Sequence, residues 1–416
     1  PMKSLLITGG RILDPSQGLD EEGSLLIING RISWLGIGDA AAPESSDGYD
    51  VLEAPGMVVC PGFIDLHCHL REPGFEHKET IATGTRAAAR GGFTTVCCMP
   101  NTNPPVDTPT VIDYIQKKAR EEGVVRVLPI ACVTGGRRGL RVAPLRGLAA
   151  AGAVGFSDDG DPVRDDEIMR QALITGKQLG LPVIDHCEDP VGGPPEGEAK
   201  IVARDIKLAN ETGGWVHIAH ISTAGSVGLV RRAKGAGIPV TCEVTPHHLT
   251  LTAEEIIRYG ADAKVNPPLR TKKDLHALIL GLHDDVIDII ATDHAPHTPD
   301  EKHAGMASAP SGISGFETAL GSLMTLVHGG KITLSKLVSK LTAEPARILG
   351  GRYDRSGTLA VGAPADITII DPDREWIVDP DEFASKGKNT PLSGVVLRGK
   401  VVATIVAGKV VHNEKL

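Results

Sequence analysis

The sequence predicts an α/β fold: a (β/α)8 TIM-type barrel over residues 57–349, with a small β-sandwich domain formed by both chain ends, 1–56 and 350–416. Three observations carry this reading. Eight apolar, strand-like runs alternate with helical segments in units of about 35 residues, the pattern of a parallel barrel. The two chain ends are rich in short strand patterns and turns, yet neither has enough strand to bury a core alone. Residues of metal-binding type gather at the C-terminal ends of the strand-like runs, where such barrels place their chemistry. A doubly wound open sheet is the alternative arrangement of the same alternation.

At the N-terminal end, strands are expected over 4–8, 11–13, 24–28 and 31–35, with Asn29-Gly30 as a hairpin turn between the last two. In the middle, the strand candidates are 57–69, 93–99, 125–133, 153–159, 182–188, 215–221, 239–245 and 288–293. Helices are expected over 79–90, 110–122, 165–179, 199–211, 225–234 and 273–282. Asp165-Asp166-Glu167 places acid in a first turn, where the helix dipole favours it. Gly123, Gly180, Gly213 and Gly235 are expected as C-caps. The C-terminal end reads as strands over 365–370, 376–378, 394–398, 400–407 and 409–412, with turns at Gly399-Lys400 and Gly408-Lys409.

Composition narrows the function. The chain has 416 residues, 41% hydrophobic but only 3% aromatic, so its core rests on Val, Ile, Leu and Ala. The net charge of −9 argues against nucleic acid or an anionic membrane as partner. An anionic small substrate would need locally placed positive charge, from metal ions or an arginine. The seven cysteines are odd in number, sit in apolar runs, and match neither a disulfide framework nor a zinc knuckle, so reduced buried thiols are expected. No signal-peptide pattern and no long apolar span appears, which makes a soluble, cytoplasmic protein the expectation.

The candidate site starts at Pro61–Gly74, an apolar strand pattern that ends in Pro73-Gly74. Residues two apart on a strand share a face, so His67 and His69 project together, with Asp65 one step deeper. Two such imidazoles can occupy adjacent corners of one metal's coordination sphere. Further candidates end other strands: Asn101, the pair Asp158-Asp159, His186, His220 and Asp293-His294. His217 and His220 are three apart, so only one should be a ligand, and His220 lies nearer the mouth. Spacing does not choose between Asp158 and Asp159. His247 and His248 are read as structural. Asp293 suits a general base beside a metal, and His297 lies on the following loop, placed for substrate. The stretches 267–270 and 306–315 could close over the mouth. Four histidines and two carboxylates exceed the roughly three protein ligands of a single catalytic zinc. Two ions about 3.5–4 Å apart, bridged by one carboxylate and holding a hydroxide between them, account for all six. The donor set suits Zn, Mn or Co and does not choose among them.

These motifs, together with Met99-Pro100-Asn101-Thr102, Phe156-Ser157-Asp158-Asp159-Gly160, His186-Cys187-Glu188-Asp189, His220-Ile221-Ser222-Thr223, Asn266-Pro267-Pro268-Leu269-Arg270 and Ala291–His297, resemble the amidohydrolase superfamily, and within it the bacterial-type (type I) dihydroorotases. The resemblance covers nearly the whole chain. It implies that His67, His69, Asp159 and Asp293 hold one metal, and Asp159, His186 and His220 the other. It places substrate against His69, Arg71, Asn101, Asn266 and His297, and against backbone groups of Ser311 and Gly312. The family commonly has an aromatic residue at the position of Ser311.

The implied reaction interconverts N-carbamoyl-L-aspartate and (S)-dihydroorotate plus water, a step of pyrimidine biosynthesis, through a metal-bridged hydroxide with Asp293 as general base and acid. The resemblance also leads us to expect a homodimer, and it allows a complex with aspartate transcarbamoylase. Two rivals stand beside it. Allantoinases and dihydropyrimidinases usually bridge their metals with a carboxylated lysine after strand four, where this chain has Asp158-Asp159. A catalytically silent scaffold subunit for aspartate transcarbamoylase would have lost metal ligands, and here every position is filled.

Overall fold

In the computed structural model, residues 4–43, 48–350 and 355–414 are described. Eight parallel strands form the barrel: Phe63–Cys68, Phe93–Cys98, Arg126–Pro129, Phe156–Ser157, Val183–Asp185, Val216–Ile218, Val240–Val244 and Ile289–Ile290. They lie in a three-stranded and a five-stranded sheet. Main-chain bonds close both seams. Ser157 N–H donates to Ala131 O (2.8 Å) at one, and Asp293 N–H to His67 O (2.9 Å) and His69 N–H to His294 O (2.8 Å) at the other. Closed strands leave no open edge, and the alternation of strand and helix supplies the outer layer.

The expected helices form as Ile81–Arg90, Pro109–Glu122, Asp166–Leu179, Pro195–Thr212, Ala224–Gly235 and Lys272–His283. Thr80 and Thr271 each close a capping box, and Asp165 accepts from Glu167 and Ile168 N–H. Gly180 and Gly213 are left-handed C-caps, as expected. Gly123 is also the expected C-cap, extended rather than left-handed, and Gly235 is the last helical residue with Ala236 as its cap. Among the described residues, seven α-helices lie outside those expected: the short Leu145–Ala151, Pro246–Thr250, Glu254–Tyr259 and Pro299–Lys302, and then Ala319–His328, Leu334–Leu341 and Ala343–Leu349.

Strands from both chain ends form one eight-stranded sheet and share one apolar core that includes Ile12, Leu25, Ile367 and Ile405. Asn29 and Gly30, both at positive φ, turn Leu19–Ile28 into Arg31–Ile37, which is the expected hairpin. Ala407-Gly408 likewise turns Val396–Val406 into Lys409–Asn413. Two expectations are corrected. Gly399-Lys400 is not a turn; it lies inside Val396–Val406 next to a register shift against Ile367–Ile377. The single strand expected over 57–69 is two. Val58–Pro61 pairs with Leu5–Asp14 and Ile367–Ile377 in the terminal sheet, and Phe63–Cys68 enters the barrel. Gly62 makes the passage because the side chain of Thr94 fills the space a Cβ would need. Among the described residues, no helix is long and apolar enough to cross a membrane.

Candidate metal centre

His67 sits within the first barrel strand and His69 immediately after it; Asn101, Asp159, His186, His220 and Asp293 each follow a strand end. All converge on one mouth. Three of the residues there hold left-handed backbone without being glycine: Arg71 (φ 63°), His220 (φ 29°) and Asp293 (φ 47°). Such conformations cost about 1–3 kcal/mol each and persist where surrounding structure enforces them. At His220 the consequence is specific. The strand stops at Ile218, so simple alternation no longer applies, and the turn at 219–220 swings the imidazole inward.

Asp159 is the hub. Its Oδ1 lies 3.4 Å from His67 Nε2, 3.6 Å from His186 Nδ1 and 3.7 Å from His220 Nε2, and its Oδ2 lies 3.4 Å from His69 Nε2. Asp293 Oδ1 lies 3.1 Å from His69 Nε2 and 3.5 Å from His67 Nε2. Asp158 points the other way. It accepts from Val133 N–H (3.0 Å), Thr134 N–H (3.1 Å) and the Thr134 hydroxyl, so it anchors the loop after the third strand. Arg137 donates to the carbonyls of both aspartates and holds their backbone. Asp65 is likewise structural, accepting from Thr292 N–H (2.8 Å) and Thr292 Oγ1 (2.5 Å).

Carboxylate and amide oxygens fix which ring nitrogens remain available. His67 Nδ1–H donates to Glu243 Oε1 (2.6 Å), His186 Nε2–H to Glu188 Oε2 (2.8 Å) and His69 Nδ1–H to Asn101 Oδ1 (2.9 Å). Each ring therefore turns its other nitrogen, with a lone pair, toward the aspartates, which is how metal-ligating histidines are oriented. Glu243 also accepts from His217 Nε2 (3.1 Å), so His217 supports a support rather than joining the centre. Neither Glu243 nor Glu188 is given a role by the sequence argument. The signal was present in Glu243, a carboxylate inside the apolar run 240–244, because an unpaired buried charge is costly.

The residues fit divalent cations. His67 Nε2, His186 Nδ1 and Asp159 Oδ1, which face one another, are buried without a hydrogen-bond partner. The ligand atoms of His67, His69 and Asp293, and those of His67, Asp159 and His220, each lie within 4.8 Å of one another. Lone pairs facing lone pairs at these distances call for positive charge between them. Electrostatics agree. Burial opposes a charged His67 ring, yet Glu243, Asp159 and Asp293 hold its pKa well above the ordinary imidazole value. Burial likewise opposes charge on His186, and Asp159 and Glu188 raise it to about 10. Burial pushes the Asp293 carboxyl up, but His67 and His69 bring it below the usual carboxylate range. A third buried group, Asp185, Cys187 and Asp205, already has Arg204 as its cation, 2.7 Å from Asp205 Oδ1.

A cavity of about 140 Å³ opens beside the centre. Every residue expected to touch substrate lines it: His69, Arg71, Asn101, Asn266, His297, Ser311 and Gly312; Gly160 and Ala295 also line it and were not anticipated. Arg71 Nε donates to Pro296 O (3.2 Å), which aims the guanidinium. Burial lowers the Arg71 pKa to about 10, leaving it charged at neutral pH. His297 Nε2–H donates to Ser311 O (2.9 Å). Burial, with Arg71 and Lys78 nearby, lowers the His297 pKa to about 2, so it works as a neutral ring. His248 bonds Thr245 Oγ1 (2.7 Å) and Pro267 O (2.9 Å), a structural role as expected. His247 is buried with Nε2 unpartnered, and burial lowers its pKa to about 4. The stretch 267–270 is no free flap, because Arg270 is buried and donates to Gly193 O (2.8 Å) and Ser222 Oγ (3.1 Å).

The comparisons with known proteins agree with this geometry. Residues 58–411 match the amidohydrolase family model. The chain is 50% identical to a dihydroorotase of Pelotomaculum thermopropionicum over 99% of both chains. It is 46% identical to a dihydroorotase of Aquifex aeolicus, over 99% of this chain and 100% of that one. Among solved structures, an L-hydantoinase (dihydropyrimidinase) from Arthrobacter aurescens superposes with a TM-score of 0.89 at 26% identity, over 100% of this chain and 97% of that one. A dihydropyrimidinase from Brevibacillus agri shares the fold, with a TM-score of 0.87 at 24% identity, over 99% of this chain and 95% of that one. With a buried His/Asp centre at the barrel mouth and full-length identity of this order, the chain belongs to the amidohydrolase family, in its dihydroorotase branch.

Proposed function

We propose that this chain catalyses the reversible cyclisation of N-carbamoyl-L-aspartate to (S)-dihydroorotate plus water. The observation that carries it is the convergence of His67, His69, Asp159, His186, His220 and Asp293 beside a cavity that presents one buried guanidinium, Arg71. Two divalent cations, zinc in first place, would be held by these six side chains, with Asp159 shared. When bound they supply Lewis acidity toward a carbonyl oxygen and make a nucleophile of water at neutral pH.

The chain's own residues do the rest. Arg71 offers a planar fork to the carboxylate that survives ring closure. Asn101 and Asn266 hold the neutral amide groups. Asn101 also ties substrate binding to the centre, because its Oδ1 accepts from His69 Nδ1–H at 2.9 Å. Asp293 Oδ1 is committed to His69 and His67; we assign Oδ2 to take the proton from the attacking water and deliver it to the leaving ring nitrogen. For assembly the proposal is a homodimer that can associate with aspartate transcarbamoylase, read out by light scattering and co-elution.

The likeness to hydantoinase and dihydropyrimidinase structures favours a second reading, a cyclic amidase acting on a neutral ring. Against it stand the buried Arg71, which a ring without a carboxylate would leave unpaired, and Asp159 where those enzymes usually carry a modified lysine. Comparing kcat/KM on dihydroorotate, dihydrouracil and hydantoin decides. Preference for dihydroorotate supports the proposal, and preference for either neutral ring overturns it.

A further inference from the structure

The stretch 306–315 was expected to be able to close over the mouth. Its main chain is instead tied to side-chain donors. Lys302, 1% exposed, donates Nζ to Pro310 O and Gly312 O, both at 3.0 Å. Lys264 donates Nζ to Met306 O (2.9 Å), Ala307 O (3.4 Å) and Ala309 O (2.7 Å). His297 takes Ser311 O, and Asn389 Nδ2 donates to Gly312 O (3.0 Å). Gly312 N–H is also engaged, donating to Lys264 O at 2.9 Å. Gly312 has φ 145°, and a Cβ there would lie 2.6 Å from Ala295 O, so this approach excludes other residues. Among the described residues, the N–H of Ser311 is left without an acceptor, on a residue that lines the cavity.

We propose that Lys302 and Lys264 are positioning residues that fix 306–312 as a rigid wall of the site and so keep the Ser311 backbone in place for the substrate, on the side of the cavity where His297 contacts both Ser311 and Arg71. The inference rests on the substrate proposed above. A buried ammonium is costly unless it is hydrogen-bonded, and here two backbone carbonyls of a single segment accept from Lys302. The charged groups near Lys302 are Asp262 and Lys264, and the titratable but neutral His297 ring also lies close. Burial brings its pKa down to about 8, which leaves it mostly protonated at neutral pH. A wall held in this way costs no loop ordering when ligand binds, so the lysines would act on substrate affinity rather than on the chemical step.

The test uses Lys302→Met, which keeps length and removes charge, and Lys264→Met at the half-buried second anchor. We expect KM for dihydroorotate to rise about tenfold with kcat changed less than about threefold. Bound metal should equal that of the parent protein, and amide hydrogen exchange should quicken at Ala309 and Gly312. An unchanged KM in both variants, or a fall in kcat alone, overturns the proposal, as does unaltered exchange. If Lys302→Met does not fold, Lys264→Met decides. If the parent protein fails to open dihydroorotate, the functional reading falls, and the exchange measurement still shows whether the lysines pin the wall.

Discussion

Glu243 and Asp293 divide the work of the centre's carboxylates in a way that mutation can separate. Glu243 never reaches the cavity; it fixes His67 and His217 from behind. Glu243→Gln should weaken metal binding about 10–100-fold while leaving the fold intact, measured by competition with a metal indicator. Retained affinity would mean that His67 is oriented by something else. Asp293→Asn should lower kcat by about 10²–10⁴-fold with thermal unfolding little changed. Arg71→Ala should raise KM for dihydroorotate about 10–100-fold and should not affect turnover of a neutral ring, because only a carboxylate needs the charge-assisted pair. At this scale the sequence was readable where a residue's chemistry was unusual for its place. His67, His69 and Asp293 stand out at strand ends. The choice of Asp159 over Asp158 was not readable from spacing, since it depends on Thr134 and Val133, just past the neighbouring third strand, accommodating the other carboxylate.

The same contrast holds for elements. Strands and helices with a clear period, an acidic first turn, a C-cap glycine or an Asn-Gly turn were legible. Helix Ala319–His328 was not, because most of it is buried and no polar face gives it a 3.6-residue rhythm. Leu334–Leu341 does carry apolar residues at i, i+3, i+4 and i+7 behind an N-capping Thr333; it lies outside the strand–helix alternation that guided the reading. The first barrel strand was drawn too long for a physical reason. Residues 58–64 are continuously apolar and 58–69 are buried without a break, and periodicity does not reveal that two different sheets meet at Gly62. Gly62→Ala should therefore destabilise the protein by about 1–3 kcal/mol, by forcing Thr94 aside at the junction. A denaturation midpoint equal to that of the parent protein would show that the junction can relax.

For the whole molecule, two couplings follow. Ring closure removes one carboxylate and consumes a proton, so the equilibrium ratio of dihydroorotate to carbamoylaspartate should rise about tenfold per unit fall in pH near neutrality. A ratio independent of pH would contradict the assigned substrates. Binding cations to a preformed, buried centre should also stabilise the fold, by about 2.7 kcal/mol per site at a hundredfold excess over Kd, so chelation should lower Tm reversibly. The most direct check of the central claim, that six side chains grip two cations around Asp159, is elemental analysis of chelator-free protein paired with a dihydroorotate assay on the parent and on Asp159→Ala. The account predicts two divalent ions per chain in the parent, at most one in the variant, and ring opening only in the parent. An active protein without metal, or a variant that keeps both ions and its turnover, would contradict it.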